Sequence, residues 1–571
     1  MSTIQKSKQN IVNKINRALD GKIKIQESDL VLSPSWSDFG DISMNCFFLM
    51  KEFKKSANEI ATELAGKIKP CSTVKSIEAM GPYINFKLQP KKLAQGVLGE
   101  VDSKYGKTKL GKSKRIMVEF AHPNTHKAFH IGHLRNIITG EALVRILENA
   151  GHKVIRANYQ GDIGMHIAKS LWGITKLKSE FEKISKDKNL DKKIKFLAKA
   201  YVKGSSSFEK SKIAQAEIKE LNQRIYDNDE SIRKIYSETR KWSLKYFDKI
   251  YQRVNTKFDK FYFESEIFKP GKKIVLDGVK KGIFKISEGA IIFEGDKHGL
   301  HNRVFLNSEG YPTYEAKDMA LAKLQFSEYK LDKILHVVAK EQTEYFKVIF
   351  KAMEYVLPKS KGKQEHLTYG WVSLKKGKMS SRLGNVVLGE WLLDEVKDEI
   401  KKIVAKSDAI KNKNKASEQI SLAAVKYSFL KTGINRDIAF DIKESINLSG
   451  NSGPYLQYTY ARIQSILRKS KVQSPKSKVI DFKIQENEHK LILKLALFPE
   501  VTAEAAKKLD PSLIAKYLFE LSQQFNDYYH QVPILKAQPD EKAFRLALIK
   551  SIATVLDKGI NLLGFETVER M

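Results

Sequence analysis

The sequence predicts an α/β protein: a Rossmann-type doubly wound parallel sheet, preceded by a small N-terminal α/β domain and followed by a C-terminal all-α helical bundle. Three observations predict it. An apolar run at 116–120, helical periodicity from about 133 to 150 ending at Gly151, and a second strand-like run at 153–158 spell one β-α-β unit. An alternating stretch at 83–88 reads as a half-buried strand upstream of that unit. From about residue 416 to the end, apolar residues recur almost wholly at helical spacing.

The first domain is expected over residues 1–105, with a helix in the first twenty residues, then Asp38-Phe39-Gly40-Asp41 and the strand at 83–88. Residues 104–114 carry the Gly, Ser and Lys of an exposed connector, which puts the sheet domain at 112–415. Inside it, residues 176–260 are rich in Lys and Glu at helical spacing, and strand-like patterns at 274–276 and 290–293 complete an inserted subdomain over about 176–300. Sheet patterning resumes at 334–338. The last domain, 416–571, offers long amphipathic helices at 453–469, 489–508, 511–530 and 541–563, with lysine-rich linkers expected at 401–415 and 469–478. No internal repeat is apparent.

A chain of 571 residues with 42% hydrophobic content can fill several cores. Lys and Arg number 101 against 66 Asp and Glu, a formal charge of +35, which fits either a polyanionic partner such as nucleic acid or a lysine-rich solvated surface. Cys46 and Cys71 are too few for a disulfide scaffold and lack the clustered spacing of a structural zinc site. No stretch approaches the roughly 20 apolar residues that cross a bilayer, and the first residues lack a secretory core, so a cytoplasmic location and no membrane partner are expected.

The segment from His122 to Asn136, HPNTHKAFHIGHLRN, lies between the first strand of the sheet and its crossover helix. There, backbone N–H groups and the positive helix end can receive phosphate, Gly132 allows close approach, and the imidazoles of His130 and His133 can donate to phosphate oxygens. His122, His126, His130 and His133 could instead form a metal cluster. Pro123 opposes one helix carrying all four and no HExxH pattern is present, so no metal site is assigned. Further along comes Gly377-Lys378-Met379-Ser380-Ser381-Arg382, where Lys378 supplies a charge able to neutralise departing pyrophosphate and Ser380 and Ser381 supply hydroxyl donors.

HIGH at 130–133 followed by KMSSR at 378–382 resembles the paired signatures of class I aminoacyl-tRNA synthetases. The resemblance implies ATP and Mg²⁺, with catalysis by positioning and charge stabilisation and no side-chain nucleophile. Finer matches point to the arginyl-tRNA synthetases: VEFAHPN at 118–124, NYQGDIG at 158–164, GYPTYEAKD at 310–318, Glu341-Gln342-Thr343, SGPYLQYTYAR at 452–462 and the closing LLGFETVERM. A planar cation with five donors calls for carboxylates and a hydroxyl. The resemblance assigns Tyr314, Asp318 and Glu264 to the arginine side chain, and Glu119, His122, Asn124 and Gln342 to its amino and carboxylate ends. His122 departs from the small hydroxyl residue expected at its position.

The same resemblance makes the first domain a grip on the elbow of tRNA(Arg), through Tyr83 and Asn85, and the last an anticodon-binding domain, through Tyr529 and Met571. Tyr528 adds aromatic surface beside them. It also implies that arginine activation requires bound tRNA, and a monomer is expected. Cysteinyl-tRNA synthetase shares the signatures and the bundle, but it should show a zinc-binding Cys/His set that two upstream cysteines cannot supply. A catalytically silent RNA-binding paralogue is opposed by the intact phosphate-loop residues, and a small-molecule nucleotidyltransferase leaves the bundle and basic charge unexplained.

Overall fold

The computed structural model describes residues 2–32, 39–375, 382–383, 386–470 and 482–571. The first domain is a four-stranded antiparallel sheet in the order Val31–Leu32, Ile42–Asn45, Tyr83–Leu88, Val74–Met80. Ile42, Met44, Ile84 and Phe86 bury one face against helices Thr3–Ala18, Ala57–Lys67 and Pro90–Glu100. The expected alternation fails at Asn85. It is buried, and Ser43 Oγ of the neighbouring strand donates to its Oδ1 at 2.5 Å.

The central sheet begins with β1 (Arg115–Glu119), α1 (Ile131–Asn149) and β2 (Lys153–Gln160). A run of helices follows, ending in α2 (Glu230–Arg253), before β3 (Lys260–Phe263) and α3 (Glu264–Lys280). A three-stranded antiparallel sheet, Lys285–Ser287, Ala290–Phe293 and Arg303–Leu306, precedes α4 (Tyr314–Glu328), β4 (Lys333–Ala339) and β5 (Gln364–Tyr369). The five core strands are parallel in the order β5-β4-β1-β2-β3. Strand order therefore reverses between β1 and β4, which opens a crevice at their carboxyl ends.

Two expectations need correction. The run at 274–276 is helical, inside α3, because Ile267, Gly271, Val275 and Gly278 form one buried helical face through it. The linker expected at 401–415 is confined to 405–412: Gly389–Val404 ends before it and Lys413–Leu430 begins after it, so the division expected after residue 415 falls within a continuous helix. The expected linker at 469–478 lies almost wholly outside the described residues; of it, Lys469 and Ser470 end a helix.

Helices Gly453–Ser470, Glu486–Lys508, Ser512–Gln531 and Pro539–Leu562 complete the bundle. One strand interrupts it, Ile438–Phe440, which pairs in parallel with Val372–Leu374. α1 is buried nearly all round because it packs against bundle helices as well as the sheet. The first domain is clamped to the bundle by Asp41 against His489 at 3.0 Å, by Lys8 against Glu500 at 2.8 Å, and by the Tyr105 hydroxyl donating to the Leu495 carbonyl at 2.9 Å.

Candidate active site

His130 is the N-cap of α1. Its Nδ1 accepts the backbone N–H groups of Gly132 at 3.1 Å and His133 at 3.4 Å, while His133 Nδ1 accepts the N–H of His130 at 3.3 Å. The two rings stack with centroids 3.7 Å apart. A Cβ on residue 132 would lie 2.9 Å from the His130 ring, so glycine is what lets the imidazole fold over the helix end. Burial, with Lys127 nearby, holds His130 down to about 4, and burial with the neighbouring His130 takes His133 well below its ordinary value. Both rings are neutral near pH 7. With each Nδ1 occupied as an acceptor, the proton sits on Nε2, which leaves two N–H donors at a positive helix end.

The segment after the second signature returns to this point: Leu388 bridges His130, and the Gly389 N–H donates to the Phe129 carbonyl at 3.0 Å. Lys378, Ser380 and Ser381 lie outside the described residues.

At the carboxyl ends of β1, β2 and β4, a cavity of about 410 Å³ is lined by Glu119, His122, Asn124, Glu264, Tyr314, Asp318 and Gln342, which brings together every residue expected around arginine. Register explains part of it. Glu119 and His336 are direct partners across β1 and β4, and Glu119 Oε1 lies 3.1 Å from His336 Nδ1. Gln325 Nε2 donates to the other oxygen of Glu119. Burial pushes Glu119 up, but His336 outweighs it and the carboxylate sits below its usual range. Glu264, also buried, lies 3.7 Å from Lys317 Nζ, and burial leaves it above the usual range despite that lysine. Glu315 faces Arg303 at 3.3 Å.

Asp318 is different. Its Oδ2 accepts the Tyr345 hydroxyl at 2.7 Å, and among the described residues no Lys, Arg or His nitrogen forms an ion pair with it. Burial raises it to about 7. The cavity therefore holds several carboxylates, each with its own cation except one.

The loop carrying His122 and Asn124 is strained: Ala121, His122 and His126 all have left-handed φ, at 84°, 49° and 61°. Asn124 bridges Gly161, where a Cβ would lie 2.1 Å from Asn124 Oδ1. His122 Nε2 is buried with no hydrogen-bond partner among the described residues, and burial keeps the ring below its ordinary value. Tyr314 sits at the cavity rim, 62% exposed, with Lys317 Nζ 4.9 Å from its ring. Sequence reasoning missed Lys317, His336, Tyr345 and Arg303. Only β1–β4 register could have pointed to His336, and Lys317 stood unread beside Asp318.

Two surfaces carry the expected RNA contacts. Tyr83 is 45% exposed, while Asn85 is buried at 4% exposure with its carbonyl paired by Ser43. Tyr529 and Met571 line a cleft of about 680 Å³ with Arg462, Arg468 and Lys536, and the Arg462 guanidinium lies 5.1 Å from the Tyr529 ring. Tyr528 offers no surface: it is buried, and its hydroxyl donates to Glu488 at 3.3 Å.

Residues 96–442 match the family described as tRNA synthetases class I (R), catalytic domain; residues 5–88 match the arginyl tRNA synthetase N terminal domain, and residues 456–571 the DALR anticodon binding domain. An arginine–tRNA ligase of Borreliella afzelii is 34% identical, with 99% of each chain covered. One from Treponema denticola is 33% identical over 94% of each. The fold is shared with arginyl-tRNA synthetase of Thermus thermophilus, at a TM-score of 0.78 and 24% identity, covering 99% of this chain and 100% of that one. The matches account for all three parts of the chain at full length, and with the first signature at the head of α1 on a parallel sheet they place it among the class I arginyl-tRNA synthetases, the arginine–tRNA ligases.

Proposed function

We propose that the cavity at the β1–β4 crevice holds free arginine, with Asp318 taking the guanidinium, and that ATP lies over the N-terminus of α1. The supporting observation is the carboxylate inventory: a half-buried Asp318 with a hydroxyl partner and, among the described residues, no cation is complementary to a ligand that brings one. The guanidinium is a planar donor fork, and Asp318 accepts from it while Tyr345 fixes the carboxylate plane. Glu264, neutralised in part by Lys317, and Tyr314 at the rim close the side-chain end.

Glu119, His122, Asn124 and Gln342 hold the amino and carboxylate ends, so the substrate carboxylate faces the α1 terminus. There it attacks the α-phosphorus of ATP and pyrophosphate leaves; the terminal ribose hydroxyl of tRNA(Arg) then attacks the adenylate carbonyl and AMP leaves. His130 and His133 donate Nε2–H bonds to the phosphate chain, with Lys378, Ser380 and Ser381 as the second contact to it. Among the described residues no three His, Cys, Asp or Glu converge to cage a metal. Mg²⁺ would arrive on the triphosphate and neutralise phosphate charge there.

Tyr83 meets the tRNA elbow through its ring, with Asn85 holding the strand beneath it, and Tyr529 and Met571 meet the anticodon loop. We place the enzyme in the cytoplasm as a monomer; no helix among the described residues is long and apolar enough to cross a membrane. Calorimetric titration of arginine into the wild type and Asp318→Asn, with tRNA and a non-hydrolysable ATP analogue present, tests the cavity assignment. Loss of binding in the variant supports it, and equal binding refutes it.

A further inference from the structure

Asp162 lies two residues beyond the end of β2 and is fully buried, yet it touches no part of the phosphate site. Its Oδ1 accepts the backbone N–H of Ser265 at 2.8 Å, and its Oδ2 accepts both the Ser265 hydroxyl at 2.8 Å and Arg240 Nε at 2.8 Å. The Tyr236 hydroxyl donates to the Asp162 carbonyl at 2.8 Å. Ser265 is the second residue of α3, and Arg240 and Tyr236 lie on α2, so one side chain and its carbonyl join three elements.

α3 needs such a partner. Its own N-cap position is Phe263, which has no side-chain acceptor and makes no capping bond. A carboxylate from another segment does the capping instead, and its charge is matched to the helix dipole and to Arg240, whose guanidinium lies 4.3 Å from the Phe263 ring. The first residue of the helix so capped is Glu264, which lines the cavity. Among the described residues the ionic partner of Glu264 is Lys317, 3.7 Å away on α4, a contact too loose to fix the carboxylate by itself.

We infer that Asp162 is the positioning residue for the side-chain end of the arginine site, an external cap that sets the angle of α3 and with it the placement of Glu264. The inference rests on the reading that the cavity holds arginine. Asp162 touches no substrate. It acts through Ser265 and Glu264, and its ion pair with Arg240 at 2.8 Å ties it to the inserted helices. Those helices are thereby tied to arginine affinity.

The test is steady-state aminoacylation by full-length Asp162→Asn and Asp162→Ala, with Asp318→Asn alongside and thermal melts of each. Asp162→Asn keeps an acceptor for the Ser265 N–H and loses the charge facing Arg240; Asp162→Ala loses both. Loss of a cap is expected to raise the arginine KM about tenfold in Asp162→Ala and less in Asp162→Asn, with the KM for ATP and for tRNA within about twofold of wild type. A purely structural role would lower the melting temperature and move no single KM. Should Asp162→Ala fail to fold, Asp162→Asn carries the test, with an expected arginine KM at least about threefold raised. An arginine KM unchanged in the soluble Asp162 variants, while Asp318→Asn loses arginine, overturns the positioning role and leaves the cavity assignment standing. If Asp318→Asn also keeps wild-type arginine KM, the cavity assignment itself falls, and this inference with it.

Discussion

The Tyr345 hydroxyl donates to Asp318 Oδ2 at 2.7 Å, and Asp318 is the one carboxylate lining the cavity without an ion-pair partner among the described residues. Burial raises it to about 7. Arginine binds the ionised form, so affinity should be flat above about pH 7 and fall by up to tenfold per unit below it. The sign for folding is opposite: a raised carboxylate binds more protons folded than unfolded, so the ligand-free protein gains stability from this group as pH falls from about 7 toward 4. Tyr345→Phe removes the hydrogen bond that lowers Asp318 and should move the midpoint of arginine binding to higher pH. Titrations between about pH 5.5 and 8 check both, and a flat profile in the wild type contradicts the assignment.

His130 and His133 are held neutral by burial and present Nε2–H donors over α1. Replacing either by Ala should slow arginine activation about a hundredfold or more while arginine affinity stays within about twofold, because the lost bonds act on phosphate charge. With His130 titrating near 4, the activation rate should show no histidine limb between about pH 5.5 and 8. Pyrophosphate exchange in the presence of tRNA measures both quantities. A large rise in arginine Kd would place these rings in the amino-acid site instead.

Lys378 lies outside the described residues, and its assignment rests on the second signature alone. Lys378→Ala should reduce the activation rate and leave the arginine dissociation constant near wild type. An unchanged rate removes the residue from the mechanism.

Tyr83 and Asn85 share a strand, but only the tyrosine reaches the surface. Tyr83→Ala should raise the KM for tRNA several-fold, with melting temperature and arginine KM unaffected, as expected for the loss of one stacking contact. Asn85→Ala should lower the melting temperature, because it removes the partner of Ser43 inside the domain. Equal tRNA KM in wild type and Tyr83→Ala would show that this face does not meet RNA.

Much of the fold was legible because its signals are local. Apolar runs and helical periods located β1, α1 and β2, and the bundle helices appear within a few residues of where periodicity put them. The failures share a cause. At 274–276 three β-branched or apolar residues in a row suggested a strand, while the buried face of α3 is set by contacts with α4 that spacing over so short a window does not show. Tyr528 looked like surface beside Tyr529, but packing turns it inward to Glu488. In the cavity, family motifs supplied Glu119, Asn124, Tyr314, Asp318 and Gln342, whereas the counter-cations His336, Lys317 and Arg303 come from strand register and helix packing. Their effect is what separates Asp318 from its acidic neighbours, and no single segment encodes it.

Aminoacylation of tRNA(Arg) by the full-length protein, run with ATP and Mg²⁺ against each of the twenty amino acids in wild type and Asp318→Ala, measures the selectivity attributed to that unpaired carboxylate. Wild type should charge arginine alone, and the variant should lose that charging by at least about a hundredfold. Wild-type arginine charging by the variant, or charging of lysine and arginine alike by the wild type, would contradict the account.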